Sequence, residues 1–201
     1  MKVIILAAGG GTRMKEVFPD VPKPLIPVKG KPIIEHLIDQ YKGFEILINV
    51  SLKERDKFKY LGLQLLVEDT PIGNAGAIKY FSKELGKRFI ATHTDVYSDL
   101  DPRRLAEVHR GCATMVVKDL SRPKNFGVVT HEGSLITGFT RRRLVNCGIY
   151  SFSQSVMSHI GSGFQDFDKD LFPKLIKKRK IHIYEHKGIW EDIGTKEYWN
   201  K

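Results

Sequence analysis

The sequence predicts an α/β domain, a mixed and mostly parallel sheet with helices on both faces, and three observations carry the prediction. An apolar run, Val3-Ile4-Ile5-Leu6-Ala7-Ala8, opens directly into Gly9-Gly10-Gly11, the pattern of a buried strand that ends in a loop. Strand and helix patterns then alternate as far as about residue 67, which implies parallel strands joined by helices and a ligand site at the strands' carboxyl ends. From residue 113 to 152 the strand signals follow one another with only turns between them, so an antiparallel portion is expected there. The chain has 201 residues, 41% of them hydrophobic. That is enough for a single domain, 1–201, with a sizeable core, and cramped for two.

Each element has its own signal. Residues 32–41 place Ile33, Ile34, Leu37, Ile38 and Tyr41 at helical spacing, with Pro32 near the first turn. Residues 44–50 read as a strand, 52–60 as a short charged helix and 63–67 as a strand. Residues 68–77 form a turn leading into a helix that runs to Leu85. Residues 88–92 are a strand that delivers His93-Thr94-Asp95 at its carboxyl end. Asp99 and Asp101 are expected to cap a helix over 102–109. Strands are predicted at 114–117, 126–130, 135–139 and 144–152, an acid-started helix within 164–175, and a last strand at 181–184.

Lys and Arg number 33 against 23 Asp and Glu, a formal net charge of +10. This raises anionic partners as a class, nucleotides and nucleic acids alike. Much of the excess lies in the run from Lys174 to Lys180 and in Arg141-Arg142-Arg143, neither with the interleaved aromatics that stack bases. The first run reads as a solvated helix end, where the dipole favours cations, and no nucleic-acid partner is expected. Cys112 and Cys147 lack the paired spacing of a zinc site or a disulfide framework and read as buried thiols. The N-terminal apolar run is too short for a membrane span or a signal-peptide core, so a cytoplasmic protein without a membrane partner is expected. The sequence leaves open whether it forms a homo-oligomer.

The loop after the first strand carries the strongest chemical signal. Three glycines let backbone amides approach a ligand with no Cβ in the way, and successive amides form a concavity suited to anions. Arg13 adds a planar charged fork, and Lys15 and Lys23 add point charges. The set fits a triphosphate or pyrophosphate. Two familiar phosphate loops are excluded by spacing: Met14 stands where the dinucleotide fingerprint needs its third glycine, and no Gly-Lys-Ser/Thr follows at P-loop distance.

Further along come Lys23-Pro24-Leu25-Ile26-Pro27-Val28 and Gly30-Lys31-Pro32. With the glycine loop, these resemble the signature of the sugar-1-phosphate nucleotidyltransferases. Glu68 and Ile72-Gly73-Asn74-Ala75-Gly76 resemble the family's Glu followed by Leu-Gly-Thr-Ala-Gly, with Ile72 and Asn74 substituted. Asp95 matches an aspartate that the family usually carries in Asn-Gly-Asp. Asn125-Phe126-Gly127-Val128-Val129, Asn146-Cys147-Gly148-Ile149-Tyr150 and Trp190-Glu191-Asp192-Ile193-Gly194-Thr195 are similar to three later motifs. The family's Glu-Lys-Pro is replaced by Arg141-Arg142-Arg143, the largest departure.

The resemblance implies a Rossmann-like nucleotide-diphospho-sugar transferase fold, with a nucleotide part at about 1–112 and a sugar-phosphate part at about 113–201. It implies transfer of a nucleoside monophosphate from an NTP to a sugar 1-phosphate, with Mg²⁺ as cofactor. Arg13, Lys23, Asp95 and Asp192 are the implied catalytic residues. The nucleotide falls to Leu6, Ala8, Gly9, Gly10, Gly11, Thr12, Arg13, Lys23, Glu68, Gly73 and Asn74, and the sugar phosphate to Gly127, Arg142 and Asn146. Asp95 and Asp192 are the implied metal ligands. Glu68 can accept from the N1–H and N2 of guanine, which makes GTP the expected nucleotide. The lost Glu-Lys-Pro keeps a second acceptor class in play: a heptose phosphate, an alcohol phosphate or a cobalamin precursor. A basic nucleic-acid-binding domain is the alternative from another class. Since Lys23 and Arg13 lie in polar loop sequence, replacing either by Ala is expected to change stability by no more than about 0.5 kcal/mol. No hexapeptide repeats follow the last motif, so the left-handed β-helix of some relatives is not expected.

Overall fold

The computed structural model describes residues 1–11, 14, 16–120, 128–139, 144–194 and 196–199. Thr12, Arg13, Lys15, Gly127, the Arg141-Arg142-Arg143 cluster and Thr195 lie outside the described residues. In chain order, strand β1 is Lys2–Leu6, and β2 (Pro27–Val28) and β3 (Lys31–Pro32) form a small hairpin before helix α1 (Ile33–Gln40). Next come β4 (Glu45–Ser51), a 3₁₀ segment Arg55–Leu61, β5 (Gln64–Glu68), α2 (Asn74–Tyr80), α3 (Ser82–Leu85), β6 (Arg88–His93), β7 (Val96–Ser98) and α4 (Pro102–Glu107). The second half holds β8 (Ala113–Asp119), β9 (Val129–Glu132), β10 (Leu135–Phe139), β11 (Leu144–Ser153), α5 (Phe172–Lys177), β12 (Ile181–Glu185), β13 (Trp190–Asp192) and α6 (Lys196–Trp199).

Among the described residues, nine strands form one sheet in the order β5-β4-β1-β6-β11-β8-β12-β10-β9. The pairings of β1 with β4 and β6, of β4 with β5 and of β8 with β12 are parallel, and only β10 and β11 run against the rest. This is the mostly parallel sheet with an antiparallel portion that the sequence predicts. Because β1 is central and covered on both faces, its side chains are buried on both sides of the pleat. Ile4 packs with Leu47, Phe89, Tyr150 and Phe152 on one face, while Val3 and Ile5 pack with Leu37, Ile48 and Ile90 on the other. A strand in that position needs apolar residues at consecutive places, which is why it reads as an unbroken run.

Two local readings are corrected, and one element is new. The expected helix over 52–60 is a 3₁₀ segment that starts at Arg55 and ends at Gly62 with φ 64°. It buries only Phe58, and one anchor does not supply the apolar stripe that holds an α-helix on a surface. Asp101 caps α4 by accepting from the Arg103 amide at 2.9 Å, but Asp99 does not cap it; its carboxylate meets His186 instead. The β7–β13 ribbon was outside any sequence signal, three residues a strand being too short to show alternation.

The basic run from Lys174 to Lys180 forms the exposed face and end of α5, and Lys174, Lys177, Lys178 and Lys180 make no ion pair to a described carboxylate. That is the solvated helix end expected. Cys112 and Cys147 are free and buried. Among the described residues, no helix is long and apolar enough to cross a membrane.

Candidate active site

The site assembles at the carboxyl ends of the parallel strands. β1 ends at Leu6, which pairs with Asn49 of β4 on one side and His93 of β6 on the other. The Ala7 amide extends this ladder to the Asn49 carbonyl at 2.9 Å, and the chain then leaves the sheet through Ala8 and the exposed Gly9 and Gly10. Gly11 has φ 58°, and a Cβ there would lie 3.1 Å from Lys23 Cβ. Its glycine is therefore required both by the backbone and by the close approach of Lys23. Buried Met14 anchors the far side, its amide donating to the Gly11 carbonyl at 2.9 Å.

Lys23 opens a short 3₁₀ turn with Pro24 buried beneath it. Its Nζ lies 2.5 Å from Asp95 Oδ2, with the two side chains only 19% and 14% exposed. This revises the expectation that replacing Lys23 would leave stability nearly unchanged. Removing Lys23 leaves the Asp95 charge short of its partner, a loss on the scale of about 1.5–3 kcal/mol for a hydrogen bond to a charged group.

Asp95 and Asp192 come together through the β7–β13 ribbon. Asp192 stands opposite Val96, and the Ile193 amide donates to the Asp95 carbonyl at 2.9 Å. Asp192 Oδ1 accepts from the Gly194 amide at 2.8 Å. A Cβ on Gly194 would lie 3.0 Å from Asp95 Oδ2 and 3.1 Å from Asp192 Oδ1, so the two oxygens are no more than about 6 Å apart. Gly194 is the residue that leaves room between them. Among the described residues no three His, Cys, Asp or Glu side chains gather as a metal cage. Two carboxylates nonetheless fit Mg²⁺, which keeps several waters and binds through one or two carboxylates plus substrate phosphates.

Beyond β6, Asn146 marks the point where β11 leaves its register with β8. Its Oδ1 accepts from the Gly148 amide at 3.0 Å, and Gly148 turns with φ 73° against His93. The His93 ring stacks on Phe167 at 6.0 Å and meets Tyr150 edge-on at 5.7 Å, so the position where the family usually has Asn is here an aromatic wall. Burial, and secondarily the Asp166 carboxylate, push the Asp168 carboxyl above its ordinary range.

On the other flank, Glu68 ends β5, two strands from β1 and so roughly 10 Å across the sheet. It is 7% exposed, and its Oε2 has no hydrogen-bond partner among the described residues. Burial raises its pKa, against an opposing hydrogen bond from Asn49. Folded Glu68 thus keeps its proton to higher pH than the unfolded chain does, and folding stability declines as pH rises from the ordinary carboxylate range through the folded value. Glu68→Gln should remove that decline. Melting temperature followed from about pH 4 to 7 should fall less in the variant than in the wild type, and parallel curves would contradict the assignment.

Gly73 and Asn74 make close contacts within the protein. The Asn74 side-chain oxygen is taken up inside the protein, accepting from the Ala75 amide at 2.8 Å and the Phe167 amide at 2.6 Å. Gly73, with φ 76°, lies against the Gln165 backbone. Sequence reasoning missed His186 and Lys118, which with Trp190 hold the segment carrying Asp192; no local pattern marks those two.

A glycine loop at the end of an interior parallel strand, with two carboxylates and a lysine beside it, places this chain among the α/β proteins. A family model described as nucleotidyl transferase matches residues 2–200, and the chain belongs to that family. It is 29% identical over 221 aligned positions to a mannose-1-phosphate guanyltransferase of Aspergillus oryzae, covering 96% of this chain and 61% of the relative. A Schizosaccharomyces pombe mannose-1-phosphate guanyltransferase is 28% identical, over 98% of this chain and 62% of its own length. The chain thus spans about three-fifths of these relatives. HddC from Yersinia pseudotuberculosis superposes with a TM-score of 0.85 at 25% identity, over 99% of this chain and 96% of that one. Its complex with GMP-PN gives a TM-score of 0.84.

Proposed function

We propose that this chain transfers a nucleoside monophosphate from an NTP to a sugar 1-phosphate, giving an NDP-sugar and pyrophosphate. The observation that carries the reading is the convergence of Asp95, Asp192 and Lys23 beside the glycine loop. The acceptor phosphate is the nucleophile. Already largely dianionic at neutral pH, it needs no general base, and catalysis reduces to alignment and charge stabilisation at the α-phosphorus. Amides of Gly9 to Gly11, with Arg13, hold the β- and γ-phosphates and stabilise departing pyrophosphate. Lys23 turns from Asp95 to the α-phosphate. Asp95 and Asp192 would hold Mg²⁺, which offsets charge on the phosphates that are brought together. By the resemblance, Leu6, Ala8 and Thr12 are assigned to the nucleotide, and Gly127, Arg142 and Asn146 to the acceptor. No covalent enzyme intermediate forms, and the proposed setting is the cytoplasm.

Guanine is the proposed base. A buried carboxylate lacking a partner on one oxygen is matched by the N1–H and N2–H donors of guanine, and the guanyltransferase relatives and the GMP-PN complex agree in chemistry. The test is pyrophosphate release measured for four NTPs against several sugar 1-phosphates with Mg²⁺. GTP should give release that depends on the acceptor; equal rates with every NTP would remove the guanine proposal, and no acceptor-dependent release with any pair would remove the function. Arg141-Arg142-Arg143 in place of Glu-Lys-Pro supports one second reading, another phosphate acceptor, so alcohol and heptose phosphates belong in the same matrix.

A further inference from the structure

We propose that Asp99 and His186 are positioning residues for Asp192: they clamp the far end of the β7–β13 ribbon and so fix where that carboxylate sits. The functional half of this inference rests on the reaction proposed above. The ribbon has three residues per strand, and a lone two-stranded ribbon is marginal in water, so something outside it must hold its register. A slip of one residue would turn Asp192 to the opposite face.

Three anchors act on it. Near the site, the Ile193 amide is bonded to the Asp95 carbonyl. In the middle, buried Trp190 donates Nε1–H to the Cys147 carbonyl at 3.0 Å. The third lies at the far end, in residues 186–189. The His186 amide donates to the Val117 carbonyl at 2.8 Å, extending the β8–β12 pairing. Its imidazole, 9% exposed, places Nε2 2.8 Å from Asp99 Oδ1 and 3.1 Å from the Ile189 carbonyl. Both neighbours of Nε2 are acceptors, so that nitrogen carries the proton. The Asp99 amide returns a bond to the same Ile189 carbonyl at 3.2 Å. Lys118 Nζ donates to the Gly188 carbonyl, and a Cβ on Gly188 would lie 2.8 Å from Asp99 Cγ. Asp99 directly follows β7 and Ile189 directly precedes β13. Joining them therefore sets the pairing of Trp190 with Ser98, and through it that of Asp192 with Val96.

The experiment compares Asp99→Ala, His186→Ala, the double variant and Asp99→Asn with the wild type. It reads amide hydrogen exchange at Ile193 and Gly194 and the steady-state constants of the transferase reaction. The Asp99 side chain is 53% exposed, so its truncation leaves the core intact. Both Ala variants should exchange faster at Ile193 and Gly194, and kcat should fall about 10- to 100-fold, the range for losing an orienting partner of a metal ligand. KM for the NTP should hold, because the glycine loop lies on other strands. Asp99→Asn retains an acceptor for Nε2–H and should stay near wild type, and the double variant should cost no more than the worse single one. Unchanged exchange at both amides in both Ala variants would overturn the clamp, and faster exchange with unchanged kcat would overturn its positioning role. A wild type that turns over no pair of substrates would refute the proposed function alone, since the exchange measurement still decides whether the clamp exists.

Discussion

Asp95→Asn should lower acceptor-dependent pyrophosphate release by at least about a hundredfold, the scale for losing one preorganised charge-stabilising group. The substitution keeps the side chain's volume and removes its charge. Two consequences follow from the position of Asp95 between Lys23 and the Asp192 carboxylate. The Lys23 ammonium, 19% exposed, loses its anionic partner, so the melting temperature should drop by an amount equivalent to about 1.5–3 kcal/mol. Mg²⁺ should also cease to raise the melting temperature of the nucleotide-bound protein beyond nucleotide alone. Asp192→Asn separates charge from hydrogen bonding. Its Oδ1 accepts from the Gly194 amide, which an Asn oxygen also does, so it should lose turnover and the Mg²⁺ effect with little loss of stability. Full activity in either variant would remove its aspartate from the site.

Gly73→Ala should produce the largest loss of stability. The glycine has φ 76°, and a Cβ there would lie 2.8 Å from the Gln165 carbonyl carbon. Nothing at that place can yield, because Gln165 is bonded from several directions: its carbonyl accepts from the Ala75 and Gly76 amides at 3.0 and 3.1 Å, and its own amide donates to the Ile72 carbonyl at 2.9 Å. Overpacking costs roughly 1–3 kcal/mol, and with ψ 163° the backbone lies in a region open essentially to glycine alone, which adds about 1–3 kcal/mol for a residue with a Cβ. For a chain of this size each kcal/mol lowers the melting temperature by about 2–4 °C, so calorimetry should show a fall of roughly 5–15 °C. A wild-type melting temperature would mean that the contact with Gln165 is not rigid.

Much of the site was readable because its parts lie where periodic patterns end. The run Val3 to Leu6 marks a central strand, so the glycines after it had to lie at the sheet's carboxyl edge. Asp95 follows the β6 pattern in the same way, and Glu68 ends β5. What stayed hidden depends on partners remote in sequence. Lys23 looked like a solvated loop lysine because nothing near it reveals an aspartate 72 residues away. Asn74 reads as a substituted ligand contact, yet its oxygen holds the amide of Phe167, 93 residues on. The ribbon that brings Asp192 to Asp95 has too few residues to carry a period, and the Asp99–His186 clamp that steadies it joins an aspartate that reads as a helix cap to a histidine that no pattern marks.

The most direct test of the transfer itself follows the acceptor's oxygens. A sugar 1-phosphate carrying ¹⁸O on its non-bridging phosphate oxygens is incubated with GTP, Mg²⁺ and the enzyme, and the products are weighed by mass spectrometry. Attack of the acceptor phosphate on the α-phosphorus keeps every labelled oxygen in the NDP-sugar, one of them as the new bridge, and releases unlabelled pyrophosphate. Label in the released pyrophosphate, or pyrophosphate formed without an NDP-sugar, would contradict direct displacement by the sugar phosphate.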